Sequence, residues 1–143
     1  MGSLRSIVEQ HYRDIADKDW ERTGGLFSPD VVTVMPGAEP MHGVEPFLAY
    51  AQGFTNAFPD AHVELKSTVE EGNTIIAEGS FIGTHSGTFA TPQGEVPPTG
   101  KKMNLPVCDV FEVQDGKVVR HAVYFDQMGL MTILGLVPEP AQT

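Results

Sequence analysis

One cysteine, Cys108, stands in the whole chain, so no intrachain disulfide can form. Its apolar surroundings read as a strand, which suits a small core or interface hydrophobe, and no base stands at a readable spacing to activate the thiol. Cations are scarce. Nine Lys and Arg face 19 Asp and Glu, a formal charge of −10. That balance argues against nucleic acid or anionic lipid as a partner, since both need clustered positive charge. No run is long and apolar enough to span a bilayer, and no charged-then-apolar leader opens the chain, so a cytoplasmic protein is expected. No Gly-rich phosphate loop follows a strand and no serine sits in a nucleophile elbow. His11, His42, His62 and His121 lack metal-ligand spacing, so no metal site is expected. What is present is 41% hydrophobic and 20% charged over 143 residues, the make-up of one globular domain.

The most informative stretch is residues 107–136. It predicts two strands and a short apolar helix. Asp115-Gly116 suits a two-residue primed turn, where glycine takes positive φ cheaply. With Gln114 opposite Lys117, unbroken pairing puts Asp109 opposite Ala122, Val107 opposite Tyr124 and Leu105 opposite Asp126. One face then carries Leu105, Val107, Asp109, Phe111 and Val113 beside Val118, Arg120, Ala122, Tyr124 and Asp126. The other carries Cys108, Val110, Val119, Val123 and Phe125. A bulge in either strand would reverse the assignment beyond it. A sheet with two apolar faces must cover both, so one is expected around a pocket and the other against a partner chain, making a homodimer. A helix of the same chain on each side is the alternative.

Before the hairpin, Leu4, Ile7, Val8, Tyr12 and Ile15 fall at helical spacing behind a Ser3 cap. Asp19 can cap a short helix through Phe27, stopped by Ser28-Pro29-Asp30. A strand is expected over residues 31–35. Pro46 stands in the first turn of a helix with Phe47, Leu48, Ala51, Phe54 and Phe58 on its stripe. Two strands, residues 62–69 and 74–85, flank Glu71-Gly72-Asn73, and Gly79 and Gly83 suggest bends or bulges. Residues 86–100 read as a long Gly- and Pro-rich connection bordering a cleft, and residues 137–143 as a loose tail. Helices ahead of a curved antiparallel sheet predict an α+β cone, a single domain with a pocket between helices and sheet.

Ala57-Phe58-Pro59-Asp60, residues 83–89 (GTHSGTF), Pro98-Thr99-Gly100-Lys101, and Tyr124-Phe125-Asp126-Gln127 with Leu134-Gly135-Leu136 resemble the SnoaL-like polyketide cyclases. These belong to the nuclear-transport-factor-2-like superfamily of α+β cones. The resemblance implies a cofactor-free intramolecular aldol closure of a polyketide ester. It implies an aspartate at the end of the last strand as acid/base, matched by Asp126, and a pocket side chain two residues earlier, matched by Tyr124. Ala122 stands where many relatives have tryptophan, and Ile133 where they often have glutamine.

The residues themselves leave alternatives open. An aspartate in an apolar pocket becomes a better base, but Asp126 can equally cap the final helix. Asp109 can hold substrate, tune Asp126, or pair with Arg120. His85 can stabilise an oxyanion or be an ordinary hydrogen-bonded histidine. Tyr12 is a core tyrosine or part of the site. A ketosteroid-isomerase-like set of Tyr12, Asp109 and Asp126 is the second enzymatic reading. An epoxide hydrolase of this superfamily would want an arginine where Val107 stands. A non-catalytic binder of an apolar or aromatic small molecule is the third reading.

Overall fold

The computed structural model describes residues 4–91 and 94–137. The expected Ser3 cap and the tail beyond residue 137 lie outside them. Helix α1 (Leu4–Ala16) and the short α2 (Trp20–Gly25) lead into β1 (Phe27–Val34) and β2 (Met41–His42). Helix α3 (Val44–Ala57) precedes β3 (His62–Glu71) and β4 (Thr74–Thr84). A small hairpin, β5 (Phe89–Thr91) and β6 (Gly94–Val96), interrupts the connection to β7 (Lys102–Gln114) and β8 (Lys117–Phe125), and α4 (Gln127–Ile133) closes the order. The main sheet runs β2-β1-β8-β7-β4-β3, antiparallel except where β1 lies parallel to β8. This is the α+β cone that the element order predicts.

Local chemistry explains the boundaries. Asp19 caps α2 by accepting from the Arg22 backbone N–H at 3.1 Å. Gly43, at φ 89°, starts α3, and Pro46 occupies its first turn. Asp115 and Gly116 both take positive φ, 53° and 77°, as a primed hairpin turn requires.

Two expectations need correction. β1 begins at Phe27, not at residue 31: Phe27 pairs with Val118, the ladder lapses through Pro29, which has no N–H to donate, and pairing resumes at Val32. β4 carries no bulge of its own. The extra residue is Lys66 in β3, and Gly79 opposite it is needed because a Cβ there would strike the Glu64 carbonyl oxygen. Residues 86–100 form the expected connection, but it carries the short β5–β6 hairpin apart from the main sheet.

A third correction decides the site. Val113 pairs with Val118 but Glu112 pairs with Arg120, so Val119 is an inserted residue and β8 reverses faces beyond it. Phe111 then lies opposite His121, Asp109 opposite Val123, and Val107 opposite Phe125. His121, Val123 and Phe125 point inward, while Arg120 and Tyr124 point outward. Val8, Phe27, Phe47, Ile75 and Phe111 form the main core between α1, α3 and the sheet. A second cluster, Phe58, Met103, Leu130 and Leu134, seats α4.

Candidate active site

Three polar side chains meet between these clusters. Alternation along β7 turns Asp109 inward with Leu105 and Phe111, and it is 2% exposed. The bulge turns His121 toward it, and the apolar stripe of α1 delivers Tyr12 from 97 residues away in sequence. The Tyr12 hydroxyl donates to Asp109 Oδ2. His121 Nε2 stands 3.1 Å from Asp109 Oδ1. The Tyr12 hydroxyl, together with His121 in the tautomer that protonates Nε2, offsets the cost of removing the carboxylate from water.

Aromatic packing holds these groups in place. The His121 ring stacks on Phe111 at 4.5 Å and 9°, with the edge of Phe47 at 5.5 Å. His11 sits in the same box, 5.6 Å from His121 and 5.5 Å from Phe27. Burial, then the neighbouring His121, lower its pKa to about 3 against a smaller opposing pull from Asp109, so His11 is neutral at ordinary pH. Burial first, and then the Asp109 charge, push the Tyr12 phenol far above its usual range. It remains a protonated donor.

A cleft opens beside this cluster, about 640 Å³ including its mouth, between Tyr50 and Phe54 of α3, Phe81 of β4, Phe125 of β8 and Leu130 of α4. Among the described residues Asp109 is the one carboxylate in its wall, and no lysine or arginine lines it. Burial pushes the Tyr50 phenol up to about 12, so it too presents a neutral hydroxyl. Among the described residues no three His, Cys, Asp or Glu side chains gather to hold a metal ion.

Of the residues singled out from sequence, Tyr12 and Asp109 come together; the others lie elsewhere. Asp126 is exposed at the start of α4 and accepts from the Gly129 backbone N–H at 2.9 Å. Tyr124 is 50% exposed on the outer face, and Arg120 pairs there with Glu112 at 3.9 Å rather than with Asp109. His85 is buried against Phe58 and anchors a loop, its Nδ1 3.0 Å from the Thr99 hydroxyl. Cys108 also faces outward, its thiol pKa raised by burial and by Asp109 and Glu78, the opposite of activation. His11 and His121 lack metal-ligand spacing, and nothing else in their spacing marks them for the site. Placement on the α1 stripe beside Tyr12 was the available signal for His11.

A family model for SnoaL-like polyketide cyclases matches residues 6–134. The chain belongs to the SnoaL-like polyketide cyclase family. Solved structures share its fold. A proposed SnoaL-like polyketide cyclase from Jannaschia sp. CCS1 superposes with a TM-score of 0.81 at 20% identity, covering 93% of this chain and 92% of the other. IdmH, a proposed polyketide cyclase from Streptomyces antibioticus, gives 0.78 at 25% identity, covering 94% and 99%. An epoxide hydrolase from M. tuberculosis described as LEH-like gives 0.68 at 17% identity, covering 90% and 86%, a likeness of fold alone. No curated protein sequence matches this SnoaL-like chain. No helix among its described residues is long and apolar enough to cross a membrane.

Proposed function

We propose that this protein closes a ring by intramolecular aldol condensation on a neutral, aromatic or polyketide-derived ester, without a cofactor, and that Asp109 moves the proton. The observation that carries this reading is the lone carboxylate in an aromatic cleft, gripped by Tyr12 and His121. A carbon acid between two carbonyls is acidic enough for a carboxylate to deprotonate. The Asp109 carboxylate takes the C–H proton and leaves an enolate. The enolate carbon bonds to a second carbonyl carbon of the same molecule, whose π electrons move to oxygen as an alkoxide. The alkoxide recovers the proton from Asp109, so atoms balance and the product is an isomer. Tyr12, held neutral, donates a hydrogen bond wherever negative charge develops beside it. Asp126 is assigned the helix cap, and Tyr124 and His85 no contact with substrate.

The test uses ethyl benzoylacetate, a neutral aromatic β-keto ester, in D₂O. The protein is expected to accelerate exchange of the proton between the carbonyls. A rate equal to that of buffer, with no binding of the probe, would leave the reading without support.

A specific observation favours a second reading. Tyr12 and Asp109 side by side are the residue pair of the ketosteroid isomerase oxyanion hole, a tyrosine and a protonated aspartic acid, and substrate oxygen would have to replace Asp109 as the acceptor for Tyr12. Carbonyl-region infrared difference spectra of wild type against Asp109→Asn separate the two. An ionised Asp109 at pH 7 supports the base, and a protonated one the oxyanion donor.

The reading extends to a homodimer. On the outer face Val69, Ile76, Val110, Ala122 and Val34 lie in register across five strands as one apolar row. Ile76 is 41% and Val69 65% exposed. An isologous pair, each row laid on its symmetry mate, would cover both at once. Sedimentation at micromolar concentration is expected to show a dimer that Ile76→Lys with Val110→Lys dissociates. A wild-type monomer there would refute it.

A further inference from the structure

His121 stands on the central strand of the site, with Asp109 on β7 to one side and Thr33 on β1 to the other. Its Nε2 serves Asp109. With Asp109 ionised and the His121 ring neutral, this nitrogen carries the proton and Nδ1 is left as a bare acceptor. Nδ1 is buried and, among the described residues, has no protein partner. Thr33 is the register partner of His121 across the parallel β1–β8 ladder, 0% exposed, and its hydroxyl also lacks a protein partner among the described residues. A third buried atom without a partner, His11 Nδ1, belongs to a ring 5.6 Å from that of His121.

One such group would be an isolated cost; three on adjoining side chains form a set with matching chemistry. The threonine hydroxyl can donate, and the two imidazole nitrogens can accept. Valine is the residue of nearly the same shape without a hydroxyl, and Val31 faces the same core two residues earlier. Thr33 therefore bears a buried polar group that packing alone does not need.

We propose that Thr33 is a positioning residue for His121. Its hydroxyl donates to one buried water, which in turn donates to His121 Nδ1 and His11 Nδ1. The water has the three polar partners typical of an interior site. The bridge fixes the tautomer in which His121 Nε2–H points at Asp109, and completes a relay of Thr33, His121, Asp109 and Tyr12 across three strands and α1. Both the tautomer and its catalytic consequence rest on Asp109 being ionised, as the base reading has it; the contact between Thr33 and the His121 Nδ1 side does not.

Imidazole ¹⁵N spectra of histidine-labelled protein test it. Wild type is expected to show His121 with a protonated Nε2 and a hydrogen-bonded, unprotonated Nδ1. Thr33→Val is expected to shift the Nδ1 resonance and to slow exchange of ethyl benzoylacetate on the order of tenfold at unchanged KM, the rate equivalent of one net hydrogen bond. Thr33→Ser, which keeps the hydroxyl, is expected to restore both. Thr33→Val with unaltered His121 resonances overturns the proposal, most clearly if the variant melts at or above wild type, as removal of an idle buried hydroxyl would allow. If no protein catalyses exchange, the function reading fails while the resonances still decide the role of Thr33.

Discussion

Asp109→Asn is expected to slow deuterium exchange into ethyl benzoylacetate by ~10²–10⁴-fold, the range that a positioned general acid/base contributes. The amide keeps the size of the carboxyl and can still accept from Tyr12, so the fold should survive, as a cooperative melt would verify. What it loses is the second carboxyl oxygen, which His121 faces at 3.1 Å, and with it the group that takes up the proton on the base reading. Asp126 is the matched control. It caps α4 through the Gly129 N–H, so Asp126→Ala is expected to cost about 1 kcal/mol of stability, typical of a lost cap. In a chain of this length that lowers Tm by roughly 2–4 °C. Its exchange rate should stay within twofold of wild type. The opposite outcome, a silent Asp126→Ala replaced by a dead one with Asp109→Asn active, would return the chemistry to the end of the last strand.

The contrast between those two aspartates shows where sequence reading stops. The α+β order, the Asp115-Gly116 turn, the Asp19 cap and the inward alternation of β7 were legible, because each rests on contacts a few residues apart. The bulge at Val119 was not. Apart from Arg120 and His121, one on each face, residues 118–125 are valine, alanine and aromatic on both faces of the strand, so sliding the pattern by one residue mostly exchanges apolar side chains for one another and hydrophobic periodicity has little to detect. Yet that single insertion takes Tyr124 out of the pocket face and puts His121 into it. The Tyr12–Asp109 contact joins residues 97 apart, and only the packing of α1 on the sheet brings them together. Pro29 misled in the same manner. A proline normally stops a strand, but here it falls in a gap of the β1–β8 ladder, where no N–H is required.

His11 gives the remaining large effect, on stability rather than rate. Its folded pKa, about 3, lies below the ordinary histidine value of 6.5. Above pH 6.5 neither state is protonated there and the residue makes no pH-dependent contribution. Below 6.5 the unfolded chain takes up a proton that the folded chain refuses, so stability falls with decreasing pH until the folded site itself titrates near 3. Each pH unit in that window costs about 1.4 kcal/mol, or about 3 kcal/mol by pH 4.5. The formal charge of −10 works the other way, since acid relieves repulsion among carboxylates. The informative quantity is therefore the difference between variants. Urea unfolding at pH 7.0 and 4.5 should show His11→Phe losing about 3 kcal/mol less than wild type on acidification. His11→Leu, smaller and equally unable to protonate, guards against overpacking among Phe27, Phe47 and Phe111, and should show the same reduced slope whatever its stability at neutral pH. Equal slopes in all three proteins would mean that the box admits a charged imidazole, and that the His11 ring is not the neutral acceptor which the Thr33 relay requires.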